Sequence, residues 1–363
     1  MKKIINSLVL SVAVIVSMLA TSVGVVAQTA DEPIITFKTN VYENVGELNS
    51  FSLVLGGTEP EQYIDIDCGF GKVEYVLEQA VYVDSTASIT GTFIQCQVSS
   101  EGIVKIYGDP DKIDYINASG CYIDWIDLSK LTKLDYLDLS HNELKSLDLS
   151  EMTELSALYL SDNTFTAETP LKIGGNKPNL RILEVSIVEH MDQSFNLSDY
   201  PALVSFDGYH NMSLNKLDPT GCPELMRLTL DVTNVETLDV TKNPNLMILN
   251  ISDTRITSID VSKNPYLTQL YCTHQGSINS EYKLSALDVT NNPEIVYLFC
   301  AGNKLTSLDV SKCPKLVTLI ATDNYLTSID ISQNPALYIF EINKNCFDFA
   351  TLPFPSNSWN TYY

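Results

Sequence analysis

A mostly β solenoid of stacked short repeats, preceded by a small β-rich domain, is the fold this sequence predicts. Three observations carry it. A 21-residue unit recurs over roughly two thirds of the chain, each unit holds an alternating apolar stretch suited to a strand, and a proline closes many units. Such a unit is too short to accommodate a helix on its return, and one unit alone has no partner for its apolar face.

The elements follow in chain order. Residues MKKIINSLVLSVAVIVSMLATSVGVVAQTA place Lys2 and Lys3 before an apolar run that ends at Val25-Val26-Ala27. This is the layout of a cleaved secretory signal over residues 1–27, with a retained membrane anchor as the alternative. No cysteine follows the run to take a lipid at the cleavage site, and no second stretch of spanning length occurs downstream. Losing two lysines with the signal moves the formal charge from -23 to -25. A chain this acidic repels phosphate backbones, so nucleic acid is not an expected partner. The residues that remain are too many for one compact core and suit two domains or a repeat array.

Residues 33–104 lack the period. Short alternating runs, SFSLVL, QYIDID, FIQCQV and IVKIYG, are separated by turn glycines at Gly56, Gly57, Gly69 and Gly71. A small β domain that covers the open first edge of the solenoid is the natural reading, because a bare repeat end exposes core.

The repeats occupy residues 105–345. LDYLDLSHNELKSLDLSEMTE from Leu134, LMILNISDTRITSIDVSKNPY from Leu246 and LVTLIATDNYLTSIDISQNPA from Leu316 share the pattern LxxLxLxxNxLxxLDVSxNPx. Register starts at Ile113, Leu134, Leu155, Leu180, Leu203, Leu225, Leu246, Leu267, Ile295, Leu316 and Leu337 define eleven units, four of the intervals being lengthened by insertions. On a strand Leu137 and Leu139 point in, while Tyr136, Asp138 and Ser140 point out. The asparagine slot, Asn142, Asn163, Asn211, Asn303, Asn324 and Asn345, sits where the chain leaves the strand. An inward amide there can bond the backbone of its own turn and of its neighbour. Pro244, Pro265, Pro293, Pro314 and Pro335 favour an extended or turn-like return. Residues 346–363, including NCFDFATLPFPSNSW, break the period with aromatics and prolines and read as a C-terminal cap.

This pattern resembles the leucine-rich repeat, and specifically the short class found in bacterial surface proteins such as the internalins. The resemblance implies a curved solenoid with a parallel sheet on its concave face, and a secreted or surface-displayed binding protein that engages a protein or glycan ligand there. Cys121 fills the asparagine slot of the first unit, a substitution the family tolerates. IDIDCGFG resembles the IDxGDG turn of small β-sandwich modules in similar proteins, but Phe70 replaces its acidic residue, which puts an ion-binding role in doubt.

Residues that suggest chemistry each have a plainer reading. His141, His210 and His274 fall one residue before the asparagine slot, in units three ranks apart. With strands about 4.8 Å apart they stand roughly 14 Å from one another, too far to share a metal, and read as exposed face residues. Asp127, Asp148, Asp218, Asp239, Asp260, Asp288, Asp309 and Asp330 form a column on the return side. Either each accepts bonds from nearby backbone N–H or Ser/Thr hydroxyl groups, or the column forms calcium sites; one carboxylate per unit favours the first. Cys272 and Cys300, in adjacent units, read as small core residues. Cys222 and Cys313 share a return slot too far apart to bond, which leaves Cys68 and Cys96 as the pair to consider for a disulfide. No nucleophile, base and orienting group occur in a recognisable arrangement, so no catalytic residue and no cofactor are expected.

Outward strand positions are rich in aromatics, with one cluster near each end: Tyr115, Tyr136 and Tyr159, then Tyr209, then Tyr271, Tyr297 and Phe299. Tyrosine combines an apolar face with a polar tip, which suits protein interfaces and sugar stacking. The last three, on adjacent strands, make the contiguous apolar surface expected of a contact site. The alternative function is an enzyme or enzyme-associated module with its chemistry in the N-terminal β domain and the repeats as a targeting arm. A domain of roughly 70 residues without a clustered acid, base or metal set would be an unusual enzyme, which favours the binding reading.

Overall fold

The computed structural model describes residues 32–40, 50–80, 91–175, 177–188, 190–191, 195–274 and 282–348. The expected signal segment and residues 349–363 of the expected C-terminal cap lie outside them. Eighteen strands are present among the described residues, together with two single-turn 3-10 segments, Pro110–Lys112 and Leu197–Asp199.

Alternation builds the N-terminal region. Strands β2 (Ser50–Gly57), β3 (Gln62–Asp67), β5 (Thr92–Gln97) and β6 (Ile103–Tyr107) come from the runs expected to form them, and β1 (Ile35–Thr39) and β4 (Lys72–Leu77) join them. They divide between two facing layers. One sheet has the order β4-β3-β6-β1-β8, where β8 (Ile123–Asp127) is the return strand of the first repeat. In the other layer β5 pairs with β2, and β2 pairs antiparallel with β7 (Ile113–Asn117), the first strand of the repeats. Phe37 of one layer meets Phe51 of the other edge-on, ring centroids 5.5 Å apart. The N-terminal layers therefore run directly into the two walls of the solenoid. The expected division at residue 104 falls inside β6.

From β7 the sheet continues as a parallel ladder through β9 (Tyr136–Asp138), β10 (Ala157–Tyr159), β11 (Ile182–Glu184), β12 (Ser205–Asp207), β13 (Arg227–Thr229), β14 (Ile248–Asn250), β15 (Gln269–Tyr271), β16 (Tyr297–Phe299), β17 (Thr318–Ile320) and β18 (Ile339–Glu341). These are the eleven units counted in the sequence. Pairing is in strict register, Leu137 beside Leu158 beside Leu183, and each of these leucines is fully buried. The continuous column so formed is what a single unit lacks.

The asparagines act as expected. Asn142 accepts the Cys121 and Ile123 N–H groups through Oδ1, at 3.1 and 2.9 Å, and donates to the Ala118 and Leu139 carbonyls at 2.9 Å each. Asn163, Asn303, Asn324 and Asn345 repeat this link between a turn and its neighbour. Thr233 and Thr254 take the slot in two middle units, where each hydroxyl donates to a carbonyl of its own turn at 2.8 Å. Cys121 donates its thiol to the Ser52 carbonyl of β2, tying the first unit to the N-terminal layer.

A second ladder runs along the return side, and the sequence reading missed it. The asparagine of xNP points inward and donates to two carbonyls of the preceding unit: Asn243 to Pro219 and Cys222, Asn264 to Val240 and Asn243, Asn292 to Val261 and Asn264, Asn334 to Val310 and Cys313. Cys222 and Cys313 fill the same slot with a weaker S–H donor. In the longer unit Lys177 does so from full burial, its Nζ bonding the Leu149 and Met152 carbonyls at 2.7 and 3.0 Å, and burial pulls its pKa down to about 8.

Candidate functional site

The polar columns of the solenoid sort into structure and surface. Each return-side aspartate accepts the N–H two residues on, for example Asp127 from Ser129 at 3.0 Å and Asp309 from Ser311 at 2.9 Å. These bonds, with help from the Ser/Thr hydroxyl, hold the carboxyls of Asp127, Asp148, Asp260, Asp309 and Asp330 below their ordinary value. The column is thus a series of Asx turns, as the plainer reading had it. In the N-terminal region Asp67 likewise closes its own turn, accepting the Gly69 and Gly71 N–H groups at 2.8 and 3.0 Å, while Phe70 stands exposed.

The histidine slot also has a backbone explanation. The residue before the asparagine slot leaves the strand in the left-handed region, with φ of 56° at His141, 56° at Asp162, 57° at His210, 52° at Asp253 and 72° at Gly302. Histidine, aspartate and glycine tolerate this conformation better than most residues. A Cβ on Gly302 would lie 1.9 Å from the His274 carbonyl oxygen, so that rung admits glycine alone. His141 and His210 are exposed as expected, and His141 Nδ1 lies 3.0 Å from Asp162 Oδ2 in the next unit. His274 departs from expectation: it is 2% exposed, beside Asp253 at 3.8 Å, and burial lowers its pKa.

At the N-terminal end of the concave face the tyrosines stack but are not open. Tyr115 and Tyr136 lie with ring centroids 4.4 Å apart, and Tyr159 follows at 5.3 Å. Tyr115 is only 1% exposed and Tyr136 8%, because Val54 and Ala80 of the N-terminal region pack over them. The expectation that these two form a ligand-contacting surface is corrected: they pack the N-terminal region onto the solenoid. Their cover lies 35 or more positions upstream, at a distance that repeat periodicity does not register.

The middle of the face is acidic. Asp138, Glu184, Asp207 and Asp231 lie on it, and partial burial raises the carboxyls of Asp138, Glu184 and Asp231 above their ordinary values. Asp207 accepts bonds from the Ser186 hydroxyl at 2.8 Å and the Tyr209 N–H at 3.1 Å, and pairs with Arg227 at 3.3 Å. Tyr209 stands at the edge of this band, 38% exposed, with its ring 5.6 Å from that of His210.

Beyond Arg227 the face becomes aromatic. Register sets Tyr271 beside Phe299 and Gln269 beside Tyr297, and then Phe299 beside Ile320. The Tyr271 and Phe299 rings stack at 4.9 Å with an interplanar angle of 27°. Tyr271 donates its hydroxyl to Gln269 Oε1 at 2.9 Å, which fixes the ring's direction. Tyr297 is 38% exposed, Tyr271 and Phe299 are half-buried, and Leu270, Leu298, Cys272 and Cys300 behind them are fully buried. A fixed, partly open apolar platform results, resting on a close-packed floor. On the opposite wall, return segments of the first units line a groove of about 480 Å³ with Trp125, Leu147, Asp127, Asp148, Glu168 and Lys172. Asp127 and Asp148 there are already engaged in their own turns.

No family model matches the chain, and neither does any curated protein. Among solved structures, the functional domain of InlJ from Listeria monocytogenes, which includes a cysteine ladder, is 22% identical with a TM-score of 0.40; the match covers 64% of this chain and 63% of that one. The chain thus spans less than two thirds of the InlJ domain. InlF, an internalin from the same organism, is 21% identical over 65% of this chain and 75% of its own, with a TM-score of 0.49. A leucine-rich-repeat protein from Leptospira interrogans is 18% identical over 61% of this chain and 69% of its own, with a TM-score of 0.43. By its own 21-residue units, its asparagine slot and its parallel ladder, the chain folds as a short-repeat leucine-rich-repeat solenoid.

Proposed function

We propose that this is a secreted or surface-displayed recognition protein, and that Tyr271, Tyr297 and Phe299 hold a protein or glycan ligand on the concave face. The stacked, outward Tyr271–Phe299 pair beside exposed Tyr297 carries the reading, since rigid aromatics at the centre of a surface are what binding hot spots use. Tyr209 and Arg227 extend the same face toward its acidic band. Export rests on the signal-like N-terminus. Nucleic acid is set aside on net charge alone, because the fold by itself does not exclude it. Among the described residues nothing supports the alternative of a catalytic N-terminal region: Asp67 closes its own turn, and Cys68 and Cys96 sit in the core.

The test is a footprint. The mature chain is applied to arrays of extracellular matrix proteins and of glycans, and its complex with a captured member is labelled with hydroxyl radicals. Protection of Tyr271, Tyr297 and Phe299, with Tyr266 and Tyr338 unchanged, is the expected result. Capture of no member, or protection confined to the return side, refutes the assignment.

A further inference from the structure

Two buried thiols, Cys68 and Cys96, stand in the N-terminal layers and not in the repeats. Ile64, Ile66 and Cys68 form an inward row of one N-terminal layer, and Ile94, Cys96 and Val98 an inward row of the other; all six are buried. Cys68 directly follows β3, and its carbonyl accepts the Ser99 N–H at 3.0 Å, which sets the two rows at one height. Cys96 pairs with Phe51 in the β2–β5 ladder, next to the Phe37–Phe51 contact that joins the layers. The two thiols lie close enough to act on each other's ionisation, and Tyr75 of β4 acts on that of Cys96. Cysteines 121, 222, 272, 300 and 313 lie in the repeat ladders or the solenoid core, so this is a separate pair.

We propose that Cys68 and Cys96 are the halves of a structural disulfide that staples the outer parts of the two N-terminal layers. One end falls beside the β3–β4 hairpin and the other on β5, the last strand of the long sheet. These ends lie farthest from the solenoid that anchors the rest. Each thiol gives up one proton and one electron. A disulfide oxidant such as oxidised glutathione takes both, its S–S bond breaking to two thiols as the new S–S bond forms. The neighbouring Cys68 and Tyr75 side chains hold the Cys96 pKa below its ordinary value, which favours its thiolate, the attacking form. Oxidising compartments outside the cytosol are where such a bond persists.

The full chain carrying Cys346→Ser, which removes the exposed thiol, is purified reduced and treated with oxidised glutathione. It is then denatured, alkylated and digested for mass spectrometry. The expected product is one joined peptide containing Cys68 and Cys96, with a melting temperature raised by roughly 5 °C or more and restored by reductant. The same chain with Cys68→Ala and Cys96→Ala gives no joined peptide and no oxidant-dependent shift. Recovery of Cys68 and Cys96 as alkylated thiols, or as separate glutathione adducts, overturns the proposal whether or not the alanine variant folds.

Discussion

Asn264 shows what one side chain does in this solenoid. Fully buried, it donates to the Val240 carbonyl at 2.9 Å and the Asn243 carbonyl at 2.8 Å, each of which also accepts an N–H from its own turn. Asn264→Ala removes both inter-unit bonds and should cost about 1–3 kcal/mol. Asn264→Cys keeps a donor of the kind Cys222 and Cys313 supply, so its loss should be smaller. Urea denaturation of the two variants checks this order, and an equal loss contradicts a donor role for the slot. The concave-side asparagines were legible because their spacing from the strand leucines fixes an inward direction. The return-side ones were written in the same repeat, but their partners belong to the preceding unit and a single period does not display them. His274 was misread for a related reason: its slot is exposed at His141 and His210, so the repeat alone gives no sign of a buried member.

At the scale of the element, the turns of the solenoid carry two kinds of carboxylate with opposite responses to acid. Concave-side Asp138, Glu184 and Asp231, with Asp114 at about 6, have folded pKa values raised chiefly by burial. They take up protons in the folded chain before the unfolded one, so stability rises as pH falls from about 6 toward 4. Return-side Asp127, Asp148, Asp239, Asp260, Asp288, Asp309 and Asp330 have folded values lowered by their turn hydrogen bonds. Their contribution is present above the unfolded value near 4 and disappears as pH falls through the folded values. A melting-temperature maximum between about pH 4 and pH 6 follows, with a decline on further acidification. A melting temperature that falls steadily from pH 7 to pH 4 contradicts this division. The return-side column is visible in LDVS, where a serine or threonine follows each aspartate by two residues and closes the turn. The concave half needs burial, which depends on how neighbouring strands set the face.

Over the whole molecule, the N-terminal region and the repeats share both walls. β2 extends the concave sheet and β8 completes the N-terminal one, so the first units are closed off while the later ones present their face. This asymmetry separates two aromatic clusters that look alike in sequence. Tyr115 and Tyr136 are consumed in joining the N-terminal region to the solenoid, whereas Tyr271, Tyr297 and Phe299 lie far along the ladder with no such cover among the described residues. Periodicity made the solenoid and the outward direction of both clusters legible. It left open which cluster is covered, since that is decided by residues near 54 and 80 folding back over the first strands. The most direct measurement is the equilibrium affinity of the mature chain for a captured array member, compared with a Tyr271→Ala, Tyr297→Ala, Phe299→Ala variant of unchanged circular dichroism. A loss of about 2 kcal/mol or more, roughly 30-fold in Kd, is predicted; an unchanged Kd contradicts the assignment of the concave aromatic platform as the binding site.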